Sequence, residues 1–178
     1  MDNAEGFTIE LDCVAQRLIR LLRKKSLYFA AAESCTGGLI ADALTRIPGA
    51  SNCFWGSFVC YTSYAKKQML GIGEDTLNKY GEVSRETARL MALGALEKRG
   101  VDAAVSVTGL AGPDGGTEEL PVGTVWMAAA FRPEGSAGKT EIAVNAKKFY
   151  FSGSRNEVRA MAAREALMYI MKLLKKIK

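Results

Sequence analysis

Histidine is absent from all 178 residues of this chain. That absence excludes every Ser-His-Asp and Cys-His arrangement, whatever the fold, because the usual base for activating a hydroxyl or thiol is missing. It also removes the commonest nitrogen ligand for a transition metal. Cysteine is sparse. Cys13, Cys35, Cys53 and Cys60 show no CxxC or paired spacing, so reduced thiols are expected rather than a disulfide framework or a zinc site. No apolar run approaches the ~20 residues needed to span a bilayer, and the opening "MDNAEGFTIE" is acidic and lacks the apolar stretch of a signal peptide. These absences predict a cytoplasmic protein without a membrane partner.

What is present is an ordinary globular composition, 48% hydrophobic and 24% charged. At this length a single domain, 1–178, with a full core is expected. The net charge of +5 is concentrated in "RKK" at 23–25, in Lys147 and Lys148, and in the terminal "KKIK". No aromatic-studded basic stripe accompanies it, so no nucleic-acid partner is expected.

Apolar residues Leu11, Val14, Leu18, Leu21 and Leu22 recur at helical spacing between Ile9 and Lys25. "LYFAAA" (27–32) reads as a buried strand, and "GLIADALTRI" as a second helix that Pro48-Gly49 stops. "FWGSFVCYT" (54–62) is aromatic and β-branched enough for a strand. Ser84 has the chemistry of an N-cap for the amphipathic "RETARLMALGALEKR", which Gly100 ends. "VDAAVSVTG" (101–109) is a further apolar strand, followed by the turn-rich "GLAGPDGGTEELPVG". "TVWMAAAF" (124–131) and "KTEIAVNAKKFYF" (139–151) form a strand pair across "RPEGSAG", and Ser154 with Glu157 makes a capping box for a last helix from about Arg155. Alternating helices and strands predict a three-layer α/β/α sandwich, and the late strand pair makes its mostly parallel sheet mixed. In such folds ligands gather where strand ends meet helix starts. Loops 33–38 and 108–116 meet that description.

The first of these loops lies in "AAESCTGG" (31–38), where Ser34 and Cys35 are adjacent candidate nucleophiles at a strand-to-helix turn. Without histidine, a lysine held neutral is the remaining common base for a serine. Backbone N–H groups at the helix start would stabilise an oxyanion. The plainer alternative is that Ser34 caps the helix. Cys35 has a helix end to lower its pKa, or is simply a small hydrophobe. In "CYTSYAKKQMLG" (60–71), Tyr61 ends a strand and Lys66 lies in a polar or helical segment just after it, offering a proton relay and a base, unless Lys66-Lys67 is only a solvated face. "TGLAGPDGG" (108–116) either cradles an anion with its N–H groups or is a long turn. It matches neither the Walker A nor the dinucleotide glycine fingerprint.

In order, "AAESCTGG", "VCYTSYAKKQMLG", "GEVSRETARLMALGAL", "VTGLAGPDGG" and "PVGTVWMA" resemble the CinA C-terminal-domain family across roughly residues 10–175. The resemblance implies a three-layer α/β/α fold. It also implies hydrolysis of the nicotinamide mononucleotide carboxamide to nicotinate mononucleotide and ammonia, in pyridine nucleotide recycling. The length is too short for the additional N-terminal domain of longer relatives, so the chain resembles the free-standing amidase form. The family's catalytic serine, tyrosine and lysine fall on Ser34, Tyr61 and Lys66, and neither metal nor organic cofactor is implied. Thr36, Gly37, Gly38, Arg46, Thr108, Gly109 and Gly112 are the candidate donors to the substrate and its phosphate. Three positions depart from the family's common pattern: Ser63 for asparagine, Glu82 for alanine, and Leu120 for lysine. A catalytically quiet nucleotide-binding or partner module of the same fold is the alternative. Self-association is expected from apolar helices flanking a small sheet.

Overall fold

The computed structural model describes residues 3–98, 100–132 and 142–176. In chain order the elements are α1 (Asn3–Lys25), β1 (Phe29–Glu33), α2 (Leu39–Thr45), β2 (Phe54–Val59), α3 (Ser63–Leu70), α4 (Glu74–Tyr80), α5 (Arg85–Leu96), β3 (Ala103–Gly109), β4 (Thr124–Phe131), β5 (Ala143–Tyr150) and α6 (Arg155–Leu174). The connection expected at 133–138, the residues 139–141 expected to begin the last strand, and the final Ile177-Lys178 lie outside the described residues.

The strands form one sheet in the order β2-β1-β3-β4-β5. β1 pairs parallel with β2 and β3, while β4 runs antiparallel to both β3 and β5. Four strands therefore share one direction and β4 alone opposes them, although the ladders divide evenly into two parallel and two antiparallel.

Side-chain alternation along β1 separates the two faces. Phe29 and Ala31 join the core built with α1, α2 and α6, whereas Ala30 and Ala32 join the core built with α5. β3 alternates likewise, with Val105 and Val107 on the first face and Ala104 on the second. Leu18, Ile19 and Leu22 of α1 and Leu167, Ile170 and Leu174 of α6 are fully buried in the first core. Each such side chain contributes about 1.5–3 kcal/mol by leaving water. These three layers are the expected α/β/α sandwich.

Local chemistry sets the helix starts. Ser84 Oγ accepts from Thr87 N, and the Ser154–Glu157 capping box is present, both as expected. β2 stops at Val59, short of the expected 62, because Thr62 leaves the strand to cap α3 through Ala65 N. α4 has no counterpart in the sequence reading. Of its seven residues only Leu77 is buried, which leaves no periodic apolar stripe to detect. α5 packs tightly on the end of α3 at Gly94, where a Cβ would sit 2.4 Å from the Leu70 carbonyl oxygen. No described helix is long and apolar enough to cross a membrane.

The carboxyl ends of β1 and β3 form the topological switch point of the sheet. The chain leaves β1 toward β2 on one side and leaves β3 toward β4 on the other. Ligands of open α/β sheets bind in the crevice such a divergence opens.

Candidate active site

Ser34 is the first residue beyond β1, and its backbone N–H donates to the Val107 carbonyl of β3 at 3.0 Å. It does not cap α2. That task falls to the fully buried Glu33, whose carboxyl accepts from Gly38 N (2.9 Å), Ile40 N (3.1 Å), Ala41 N (3.0 Å) and Ser57 Oγ (2.8 Å). The orphan donors of the helix start are thus satisfied by the neighbouring residue. The Ser34 hydroxyl remains available for other work, in a residue only 7% exposed.

That hydroxyl meets Lys66. Lys66 Nζ lies 3.1 Å from Ser34 Oγ and 3.2 Å from Glu82 Oε2, and the lysine is fully buried. Its neighbour Lys67 is the solvated one and pairs with Glu74 at 2.6 Å. The two lysines sit side by side in sequence, but the turn of α3 points one into the sheet and the other outward.

The expected rivalry with Cys35 ends on electrostatics. Burial pushes the Cys35 thiol up to about 12, despite the opposing pull of its own backbone N–H and the Lys66 and Arg159 charges. It stays protonated at neutral pH, and the thiol form is a poor nucleophile. The backbone N–H groups of Cys35 and Thr36 have no acceptor elsewhere among the described residues. Arg159 holds the carbonyls of the same two residues, through Nε to Cys35 (3.2 Å) and Nη2 to Thr36 (3.0 Å). This clamp from α6 fixes the orientation of the peptide units beside Ser34.

A cleft of about 280 Å³ opens at Ser34, lined also by Tyr61, Glu82, Thr108, Gly109, Gly112, Asp114 and Arg155. Its walls are the ends of β1, β2 and β3 with the start of α6. Tyr61 is 53% exposed, and its hydroxyl accepts from Arg155 Nη2 at 2.6 Å. Among the described residues no hydrogen bond joins Tyr61 to Ser34 or Lys66. The structure therefore brings Ser34 and Lys66 into contact and sets Tyr61 at the rim. Arg155 Nη1 also donates to the Gly112 carbonyl at 2.6 Å, which ties the 108–116 loop to α6. The Thr108 hydroxyl donates to the Glu82 carbonyl at 2.8 Å.

Three of the seven expected substrate donors, Arg46, Gly37 and Gly38, are engaged within the protein. Arg46 pairs with Asp42 and with Asp12 and lines a separate depression between α1 and α2, with Arg20 and Arg23. Its position at the far end of α2 carries it away from Ser34. The Gly37 N–H donates to the Ser34 carbonyl and the Gly38 N–H to Glu33, so neither is free for an anion. Thr36 is fully buried behind the cleft rather than lining it, and its hydroxyl has no partner among the described residues. Thr108, Gly109 and Gly112 do line the cleft.

Two of the three departures from the family pattern meet in space. Ser63 Oγ donates to Glu82 Oε1 at 2.5 Å, while Leu120 lies in a turn held by Thr117 and outside the cleft lining. Burial pushes the Glu82 carboxyl up, but the Ser63 hydrogen bond and the Lys66 charge outweigh it and hold the group below its ordinary value. Sequence reasoning missed the parts played by Glu33, Arg155 and Arg159. The i, i+4 arginines at the start of α6 share one helix face, which was the readable signal.

Comparison with known proteins agrees with this architecture. Residues 11–174 match the CinA C-terminal domain. The nicotinamide-nucleotide amidohydrolase PncC of Enterobacter agglomerans is 50% identical over 142 residues, which cover 80% of this chain and 82% of that protein. The putative competence-damage inducible protein of Symbiobacterium thermophilum is 43% identical over 92% of this chain, and the chain spans 38% of its length. Among solved structures, competence/damage inducible protein CihA from Agrobacterium tumefaciens superposes with a TM-score of 0.82 at 41% identity, over 92% of this chain and 95% of that one. From within the first helix to the end of the last, the chain belongs to the CinA C-terminal domain family.

Proposed function

We propose that this chain is a serine amidase acting on nicotinamide mononucleotide. The observation that carries the reading is the buried 3.1 Å contact between Ser34 Oγ and Lys66 Nζ at the switch point of the sheet. The substrate class follows the relative named as a nicotinamide-nucleotide amidohydrolase. Neutral Lys66 takes the Ser34 proton as Oγ attacks the carboxamide carbon. The N–H groups of Cys35 and Thr36 receive the oxyanion, the Thr36 N–H being oriented by the Arg159 bond to the Cys35 carbonyl of the same peptide unit. Lys66 then returns its proton to the leaving nitrogen, and ammonia departs from an acyl-Ser34 ester. Water, deprotonated by the same amine, cleaves that ester to nicotinate mononucleotide and free Ser34. Tyr61 and Arg155 act at the rim, where the guanidinium and the 108–112 loop take the phosphate. This replaces Arg46, Gly37 and Gly38 in the phosphate role.

Pyridine nucleotide recycling in the cytoplasm is the setting this chemistry suits. Self-association belongs to the same proposal, supported by Trp55, Val59, Tyr61 and Tyr64, which stay exposed along and beyond the open sheet edge at β2. The deciding experiment incubates purified protein with nicotinamide mononucleotide and follows ammonia and nicotinate mononucleotide, with Ser34→Ala alongside. Turnover that disappears in the variant supports the amidase. Absence of turnover from folded wild-type protein favours the quiet nucleotide-binding module.

A further inference from the structure

Lys66 is a buried amine that one carboxylate contacts directly among the described residues. Glu82 Oε2 lies 3.2 Å from Nζ, and Oε1 accepts from Ser63 Oγ at 2.5 Å. The Glu82 backbone is tied down as well, by the Thr108 hydroxyl at 2.8 Å. Ser63 and Lys66 are three residues apart on α3, so one helix face offers a donor to each oxygen of the same carboxylate. Glu82 itself precedes α5 and leaves 47% of its side chain in solvent. It is thus a bridge between a fully buried amine and bulk water.

Among the described residues, the other charged or titratable groups on the elements around Lys66 are engaged elsewhere or neutral. The Cys35 and Cys60 thiols feel the Lys66 charge, but burial pushes them up to about 12 and about 11, so they carry no charge at neutral pH. Glu33 on β1 is enclosed by its four donors from α2 and β2. Beyond β2, Tyr61 is bound to Arg155. On α5, Glu86 and Arg89 pair with each other at 2.8 Å, and on α3 itself Lys67 pairs with Glu74. Among the described residues, Glu82 is left as the carboxylate whose contact with the amine is direct.

A buried ammonium without a counter-charge is strongly disfavoured, whereas a base must be neutral. We propose that Glu82 is a positioning residue that holds Lys66 protonated and aimed at Ser34 in the resting protein, and so sets the pH above which Lys66 is free to act as base. On activation the N–H bond of Lys66 breaks and its proton passes to water along the half-exposed carboxylate, leaving the amine 3.1 Å from the Ser34 hydroxyl. This rests on the amidase reading only for the catalytic meaning of the neutral amine.

The test follows Lys66 directly. Full-length protein carrying ¹³C at the lysine ε carbons is titrated by NMR, with the Lys66 resonance assigned by its loss in Lys66→Met. Removing the negative charge destabilises the ammonium, so in Glu82→Gln the Lys66 midpoint moves to lower pH by about one unit or more. Glu82→Asp restores most of the shift, and Ser63→Ala moves the midpoint the same way by less. The acid limb of kcat/KM on nicotinamide mononucleotide moves in parallel. An unchanged midpoint in Glu82→Gln overturns the proposal, whatever the activity. Should that variant fail to fold, an unchanged midpoint in Ser63→Ala overturns it instead. A moved midpoint without ammonia release from wild type sustains the Glu82 assignment and sinks the amidase reading.

Discussion

Lys66 Nζ reaches Ser34 Oγ at 3.1 Å inside the protein, bringing together two residues 32 apart in the chain. β1 delivers the serine and the first turn of α3 delivers the lysine. Both come from the carboxyl side of neighbouring parallel strands, so the pairing is a product of sheet topology. In the proposed mechanism this Ser-Lys pair provides hydroxyl activation without the imidazole this sequence lacks.

Ser34→Ala is expected to abolish amide hydrolysis, a fall of roughly 10³-fold or more. Lys66→Met removes the proposed base and keeps the volume of the stem, with an expected loss of about 10²–10⁴-fold in kcat. Glu82 stays half-solvated in that variant, so its charge is not stranded. Ammonia release with thermal unfolding of each variant separates lost chemistry from lost structure. Full activity in Lys66→Met would remove Lys66 from the mechanism.

Glu33→Gln leaves one amide oxygen where two carboxyl oxygens now accept four donors. An amide NH₂ then faces N–H groups of the α2 start, at an expected cost of about 1–3 kcal/mol. Urea denaturation measures it. Ser57→Ala, which removes a single donor, is expected to lose less.

Arg155→Ala is expected to raise KM for nicotinamide mononucleotide far more than for the riboside, because the guanidinium is proposed to bind the phosphate. Comparing the two substrates on wild type and variant checks this. Equal effects on both would assign Arg155 to Tyr61 and the loop alone.

The thiols provide a pH-dependent readout of the core. Cys13 is exposed, whereas Cys35, Cys53 and Cys60 are buried. A raised thiol keeps its proton to higher pH, and the thiolate is the form that reacts. With Cys35 near 12 and Cys60 near 11, labelling at pH 8 is expected to modify Cys13 alone in folded protein. All four react after denaturation. Rapid native labelling of Cys35, located by mass spectrometry of peptides, would contradict its burial.

Light scattering on eluting protein tests association at the β2 edge. A mass above 19.2 kDa that falls to the monomer value in Trp55→Lys places the contact there. An unchanged mass in that variant moves the contact elsewhere.

Much of the scaffold is legible in the residue order because it is local. Helical periodicity in α1, the Ser84 cap and the Ser154–Glu157 box are short-range effects, readable without a partner segment. α4 escaped because a helix with one buried residue carries no period. The role of Glu33 escaped for another reason: a carboxyl at the end of a strand reads the same whether it faces solvent or turns back onto the next helix.

The sequence by itself determined the layered architecture and the exclusion of histidine chemistry, since composition and short-range periodicity suffice for these. Only the tertiary structure decided which of two adjacent lysines is buried, which residue caps α2, and that Arg46 faces away while Arg155 enters the cleft. Those outcomes depend on residues up to 124 positions apart, as in the Arg159 bond to the Cys35 carbonyl. Such groups become neighbours only when β1, β2, β3 and α6 converge, and no local pattern encodes that distance.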